Sequence, residues 1–528
     1  MAKSLRDWIE VLEANDLLYR VKEEVPIQQL ASIIAQNTQK ATLFENIADY
    51  DMPLVANTFS NRDMMKLALE TDEEHIMQAL DQRTDRRIDP VYLDSGPCQE
   101  VVITGDDVNL AALPLHFQHD LDAAPYISAS VFVSKDPQHR VHNMGVYRMM
   151  YRKRNETGVD VTAPHKMRKY CQQAFEKGQP LEVAVLLGLP TIDIMSCMAP
   201  SPFDVDEFEV LGGFRGEPVE LVKCKTVDLY VPANAEIVLE GEIQPVGWTE
   251  DEGPYGEFTG TYGAGLKWNP TVKIKAITHR KNPIFHSATH GGMYPGWTDV
   301  HVIFPIIEHD LYKAMRSAGI DVRAVRVIPA AACNWAVASI KTLSAGDSKN
   351  ALALMLAASK QAMPKFAVVV DEDIDIFSDE QLYWAMTWRT QPHEDMMILR
   401  DMKAVPLDPS LPSTMPPVTT SKMGWDATIP VGKNRADYAP CFPLPFDADA
   451  EVQRAGLSEA ELESEIVSFI KSNAPCHFND ILKGFNGNKH RAILEAFGRI
   501  RERDLLGRDE DGRYVLQESS TATPPGRA

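Results

Sequence analysis

Two acidic side chains, Glu252 and Glu257, bracket the turn Gly253-Pro254-Tyr255-Gly256. Glycine and proline fold a chain back, so such a turn brings the flanking carboxylates close together. Two carboxylates held close do not both ionise. One keeps its proton at neutral pH and can deliver it to a carbanion. The plainer reading is an acidic surface hairpin, the default for exposed carboxylates. Upstream lies Asn143-Met144-Gly145-Val146-Tyr147-Arg148, inside a predicted strand. Arg148 carries a planar fork suited to clamping a substrate carboxylate at two points, and Asn143 offers an oxygen ligand. The alternative is a solvated edge strand, given Arg152, Lys153 and Arg154 just beyond. Residues five apart point to opposite faces of a regular strand. Both serve one site only if the strand breaks, and Gly145 is where the break is expected.

Two further residues have ligand chemistry. His165 follows a proline and precedes the basic residues Lys166, Arg168 and Lys169; on its own it reads as a surface or capping histidine. Glu207 sits in an acidic run with Asp204, Asp206 and Glu209, the usual dress of a solvated helix start. Asparagine, histidine and glutamate together would suit manganese, iron or magnesium and would suit structural zinc poorly. Sequence separation does not establish that they meet. Asp371, Glu372, Asp373 and Asp375 follow an apolar run at 366–370, a place where magnesium can bind but where a solvated loop is the simpler expectation. There is no P-loop, GxSxG, HExxH or GxGxxG motif, and Gly260, Gly263 and Gly265 are misordered for the last of these. A Rossmann dehydrogenase or a P-loop enzyme is not indicated.

The elements that must position these residues change texture along the chain. Residues 1–117 alternate helical stretches with short apolar runs, an α/β pattern. Ser4 is an expected helix cap, with Asp7 three residues on and Leu5, Trp8, Ile9 and Leu12 on one face. Residues 118–310 are strand-rich, with β-branched and aromatic runs at 126–133, 141–151, 182–187, 219–231, 237–243 and 271–278 bounded by turn residues, as in a barrel or sandwich. Residues 311–455 return to alternation: an Ala/Leu-rich helix at 349–361, a buried and parallel strand at 366–370, and a Pro-rich extended stretch at 404–418. Residues 456–528 read as three helices and a two-stranded wing, a winged-helix-like order, ending in a small, polar, disordered tail. The chain has 528 residues and a formal charge of −22, which argues against dedication to nucleic acid or anionic membrane. Its seven cysteines are scattered, with no CxxC, so neither a disulfide framework nor a zinc knuckle is signalled and a cytoplasmic setting is expected. No apolar run approaches the roughly 18 residues of a membrane span, and no secretory leader is expected at the N-terminus.

Taken together, these segments resemble the UbiD family of decarboxylases. Over residues 1–450 the resemblance includes Leu5-Arg6-Asp7-Trp8, Gly96-Pro97-Cys98, Asn143 to Arg148, Glu220-Leu221-Val222-Lys223-Cys224, Glu236-Ile237-Val238-Leu239-Glu240-Gly241, Glu252 to Glu257, and Ser421-Lys422-Met423-Gly424-Trp425-Asp426-Ala427-Thr428. It implies a central flavin-reductase-like split β-barrel flanked by α/β domains. It also implies reversible, non-oxidative decarboxylation of an aromatic, heteroaromatic or α,β-unsaturated carboxylic acid. The implied cofactor is prenylated FMN, supplied by a separate flavin prenyltransferase, with a divalent metal (Mn2+, or Fe2+ or Mg2+) and K+. By the same resemblance Asn143, His165 and Glu207 hold the metal against the cofactor phosphate, and Lys422 contacts that phosphate. Ser196-Cys197-Met198 lies near the cofactor and the potassium ion. Arg148 meets the substrate carboxylate, Glu252 is the acid/base and Glu257 orients the arginine. One residue more than in some relatives separates Met198 from Glu207.

The need for a cofactor follows from the chemistry, since loss of CO2 leaves a carbanion that no side chain can drain. A homo-oligomer, dimer or hexamer, is expected, with no membrane association. Two other readings stand beside this one: a flavin-binding carrier without catalysis, and a decarboxylase whose terminal unit binds DNA through the basic helix at 489–503. Mere binding would not need Glu252, Arg148 and Glu257. The terminal unit's surrounding carboxylates weaken any attraction to phosphates, so nucleic acid is not expected as a partner. The segment His290-Gly291-Gly292-Met293-Tyr294-Pro295-Gly296-Trp297 is a candidate pocket wall.

Overall fold

A capped helix opens the chain. The Ser4 side chain accepts from the backbone N–H of Asp7, and the Asp7 carboxylate accepts from that of Ser4. Leu5, Trp8, Ile9 and Leu12 form its buried stripe, as their spacing predicts. The computed structural model describes all residues except 162–164, 264, 292–297, 360–361, 412–418, 442, 445–455, 510 and 518–528. Residues 292–297 of the candidate wall, residues 412–418 of the Pro-rich stretch and the polar tail therefore lie outside the described residues. The chain divides into two compact units, Met1–Val431 and Gly432–Ala528.

The three largest sheets organise the first unit. The N-terminal sheet runs Leu18–Val25, Ala41–Ile47, Leu54–Ala56, Phe285–Ser287. Its last strand arrives from far along the chain and pairs parallel to Leu54–Ala56.

The central sheet has nine strands. Its path is Tyr126–Ile127, Met149–Lys153, Glu156–Gly158, Thr271–His279, Ile237–Ile243, Leu181–Leu187, Val131–Lys135, His142–Val146, with Val101–Thr104 also on Thr271–His279. Tyr126–Ile127 runs into Val131–Lys135 after three residues, and His142–Val146 into Met149–Lys153 after two. The same two stretches of chain thus form both ends of the path, and the sheet curls back on itself as a split barrel does. The register changes by one residue between the two pairings, from Val131↔Val146 to Ile127↔Met149. The irregularity sits at Tyr147-Arg148. This corrects the expectation of a break at Gly145, which pairs regularly with Phe132. Gly145 is needed for space: a Cβ there would lie 2.6 Å from the Tyr147 ring.

The third sheet runs Asp321–Val327, Trp335–Lys341, Phe366–Asp371, Thr419–Ala427, Met396–Lys403. Phe366–Asp371 lies parallel to both neighbours and is buried from Ala367 on, which explains its unbroken apolar run. The acidic residues that follow it are spent on structure. Asp371 accepts from the N–H of Ile429, and Arg389 reaches both Asp371 and Asp373.

The second unit holds helices Glu459–Asn473, Phe478–Gly484 and His490–Glu502 and the hairpin of Leu506–Arg508 with Tyr514–Leu516. Leu462, Ile466, Ile470, Ile481, Ile493 and Phe497 form its own core. No described helix is long and apolar enough to cross a membrane.

Candidate active site

Arg148 is the hub. At the break after His142–Val146 its side chain leaves the strand line and meets three carboxylates. Nε and Nη2 donate to the two oxygens of Glu252 at 2.8 and 3.1 Å, and Nη1 donates to Glu257 Oε1 at 2.8 Å. Nη2 also pairs with Asp160 Oδ2 at 2.9 Å. The guanidinium lies 4.6 Å from the Tyr255 ring centroid. Burial opposes its charge, but Glu257, Asp160 and Glu252 outweigh that and hold it firmly protonated. Glu252 and Glu257 are 1% and 3% exposed, so the solvated-hairpin alternative fails at both. Burial pushes the Glu257 carboxyl above its usual range, against the pull of Arg148 and Lys267.

A small hairpin aims these carboxylates. Glu250–Glu252 pairs antiparallel with Lys267–Asn269, placing Glu252 directly across from Lys267. The chain then reverses at Gly253, whose φ of +87° suits glycine and whose Cβ would stand 2.6 Å from the Gly265 carbonyl. Asp122 takes the N–H of Gly256 at 2.7 Å, and Pro254 O takes the N–H of Ala123 at 2.9 Å. Tyr126 donates its hydroxyl to Glu252 Oε1 at 3.1 Å, and its ring lies 4.3 Å from that of Tyr255. Glu252 is therefore fixed by Arg148 on one side and a phenol on the other.

The second cluster lies along His142–Val146. Asn143 Nδ2 donates to Glu207 Oε2 at 2.8 Å, as does the N–H of Met144. Glu207 Oε1 accepts from Lys166 Nζ at 2.8 Å and from Ser201 Oγ at 2.7 Å. The Asn143 amide oxygen, Oδ1, is buried without a hydrogen-bond partner. An orphaned amide oxygen beside a carboxylate, in a nest that already holds an ammonium, fits a hard divalent cation. His165 stands at the head of helix Lys166–Glu176, exposed, and makes no hydrogen bond to Asn143 or Glu207. The structure thus joins two of the three expected ligands and places the third one residue from Lys166.

Lys422 is buried in strand Thr419–Ala427, where its ammonium donates to the carbonyls of Leu356 and Ala362, each at 2.8 Å. Burial, then the charge of Lys403, lowers it to about 8. The charge of Lys403 also lowers His165, after burial. Ser196, Cys197 and Met198 end helix Thr191–Met198, and Ser196 and Cys197 both donate to Asp193 O. Burial, then Glu207 and Asp193, raises the Cys197 thiol far above its usual range.

Sequence reasoning missed Tyr126, Asp160, Lys267, Lys166 and Lys403. Tyr126 and Lys267 touch the site through cross-strand register, which no local spacing announces. Lys166 and Lys403 were readable only as surface charge.

Three family models match in chain order. They are the N-terminal domain of 3-octaprenyl-4-hydroxybenzoate carboxy-lyase over residues 9–84, its Rift-related domain over 91–293 and its C-terminal domain over 301–427. A phenolic acid decarboxylase of Sedimentibacter hydroxybenzoicus is 34% identical over 453 residues, covering 81% of this chain and 92% of the relative. The UbiD-class enzyme HmfF of Pelotomaculum thermopropionicum, solved with FMN, superposes with a TM-score of 0.78 at 30% identity, over 84% of this chain and 97% of that one. An evolved dimeric form of the same enzyme, solved with prFMN, gives 0.74 at 30% identity over 82% and 96%. Family models and relatives thus define a carboxy-lyase. The chain belongs to the UbiD family and is a UbiD-type decarboxylase.

Proposed function

We propose that this enzyme removes CO2 from an aromatic, heteroaromatic or α,β-unsaturated carboxylic acid, with prenylated FMN and a divalent metal bound in the barrel. The observation that carries this reading is the buried Arg148 fork holding Glu252 and Glu257 side by side. The Sedimentibacter relative's name supports a phenolic or similar aromatic acid, and the prFMN-bound neighbour supports the cofactor. Asn143, Glu207 and His165 would hold the metal, with Lys166 giving up its place on Glu207. Lys422, with Lys403 nearby, would face the cofactor phosphate. Ser196-Cys197-Met198 would line the approach to a potassium ion.

When bound, prenylated FMN supplies the electron sink that decarboxylation requires. The residues of this chain do the rest. Arg148 turns part of its fork from Glu252 to the substrate carboxylate and orients it, a gain in positioning. Glu257 and Asp160 keep the guanidinium charged and aimed. Glu252, so released, takes up one proton from solvent and delivers it to the carbon that lost CO2. Tyr126 holds that carboxyl through its hydroxyl. Run in reverse, the same groups take the proton back.

Glu252→Gln is expected to fold, to retain cofactor and metal, and to release CO2 at least ~10²-fold more slowly. Full activity in that variant would remove Glu252 from its role. A cofactor carrier, the competing reading, predicts no CO2 release from the wild type either.

A further inference from the structure

Glu252, Glu257 and Asp160 all hold Arg148 by its edges. The N–H groups of a guanidinium lie in its plane, so its faces are left to other partners. The ring of Tyr255 is such a partner, with its centroid 4.6 Å from Arg148 Cζ. Tyr255 stands in the turn between the two glutamates and is 3% exposed. A cation over an aromatic face is held most firmly where water is excluded.

The ring is itself fixed from several sides. The Tyr126 ring lies 4.3 Å away, and the His119 ring stands edge-on at 6.2 Å. The Tyr255 hydroxyl donates to Gln118 Oε1 at 3.3 Å. The Gln118 amide is not free to turn over. Its Nε2 donates to the carbonyl of Ala288 at 3.1 Å, an atom that only accepts. The same nitrogen reaches the hydroxyls of Ser128 and Ser287 at 3.1 and 3.3 Å. Tyr255 is thus moored, through Gln118, at the end of strand Phe285–Ser287.

We infer that Tyr255 is a positioning residue for the reaction: its ring is the platform on which the Arg148 guanidinium stays while its edge passes from Glu252 to the substrate carboxylate. Exchanging edge partners remakes hydrogen bonds in the plane and leaves the face where it was. While Glu252 is released, Glu257, Asp160 and the ring keep the group in place. Attraction to a ring face carries no hydrogen-bond directions of its own, so it guides this turn without opposing it. A small misplacement of the bound carboxylate costs rate steeply, and that is where loss of the platform is felt.

This inference rests on the exchange at Arg148 proposed above, and its test lets the two fail separately. Tyr255→Phe keeps the ring face and serves as the baseline. Phenylalanines carrying one, two or three ring fluorines are then incorporated at the same position in the full-length protein. Fluorine drains negative charge from the face and scarcely changes the size of the ring, so a mere packing role shows no trend. Two quantities are read: kcat/KM of the loaded enzyme for the acid it turns over best, and calorimetric binding of benzoate. Tyr255→Phe is expected within about threefold of wild type, and kcat/KM then falls stepwise, by roughly 10-fold or more at three fluorines. Benzoate binding weakens in the same order. Tyr255→Leu, which fills the space without a face, falls at least as far; if it does not fold, the fluorine series decides. A flat kcat/KM across the series, or a Tyr255→Leu enzyme as active as Tyr255→Phe, would overturn the inference. In a protein that releases CO2 from no acid the reaction is refuted, and benzoate decides: weakening along the series leaves the platform standing, and a flat series or no binding removes it.

Discussion

At the scale of residues, the proposed chemistry concentrates on one arginine and the acids it holds. Glu252, Glu257 and Arg148 were legible chiefly through the family resemblance, since a turn between two glutamates reads by default as a solvated hairpin and a strand arginine five residues from an asparagine only poses a geometric problem. The solution, a break at Tyr147-Arg148, was legible in kind and misplaced by two residues. Glycine is the usual mark of a bulge, but Gly145 serves the Tyr147 ring instead. Tyr126, Asp160 and Lys267 were illegible, since a phenol in a strand or a lysine after a glycine-rich stretch says nothing of its partner. Tyr126→Phe removes the hydroxyl from Glu252 Oε1 while sparing the Arg148 contacts. A hydrogen bond to a charged group contributes about 1.5–3 kcal/mol. Turnover is expected to fall roughly 10-fold or more, with a lowered melting midpoint; steady-state CO2 release and thermal melts check this.

At the scale of elements, the hairpin of Glu250–Glu252 and Lys267–Asn269 does the aiming. Its reversal depends on Gly253, in the left-handed region with a carbonyl against the space a Cβ would need. Gly253→Ala should cost about 1–3 kcal/mol of stability, read in denaturant melts, and should lower turnover more than Tyr126→Phe does, because both glutamates move together. A variant as stable and active as wild type would show that the turn does not position them. The barrel strands were legible from β-branched runs, and the parallel strand Phe366–Asp371 from its unbroken apolar character. The return of Phe285–Ser287 to the N-terminal sheet was not, since pairing across more than 200 residues leaves no periodicity to read.

At the scale of the whole molecule, the family models end at residue 427, and the unit beyond it has its own core. Residues 456–517 carry nine lysines and arginines against eleven aspartates and glutamates, and the arginines are largely engaged. Arg491 pairs with Glu495, Arg499 and Arg503 with Glu463, and Arg513 with Asp509. A patch neutralised by its own carboxylates has little left for phosphates. In a gel-shift titration across salt, the full-length protein is expected to leave duplex DNA unshifted at 0.15 M salt; salt-dependent retardation would reopen a regulatory role for this unit.

The central claim, that the Arg148–Glu252–Glu257 cluster serves decarboxylation, is tested most directly by one measurement. The protein is co-expressed with a flavin prenyltransferase, purified without oxygen, loaded with Mn2+ and assayed for CO2 release across phenolic, heteroaromatic and cinnamic-type acids in D2O. The account predicts release from at least one class, with one deuterium from solvent on the carbon that carried the carboxylate. Protein that carries the prenylated flavin yet releases no CO2 from any of them would contradict it.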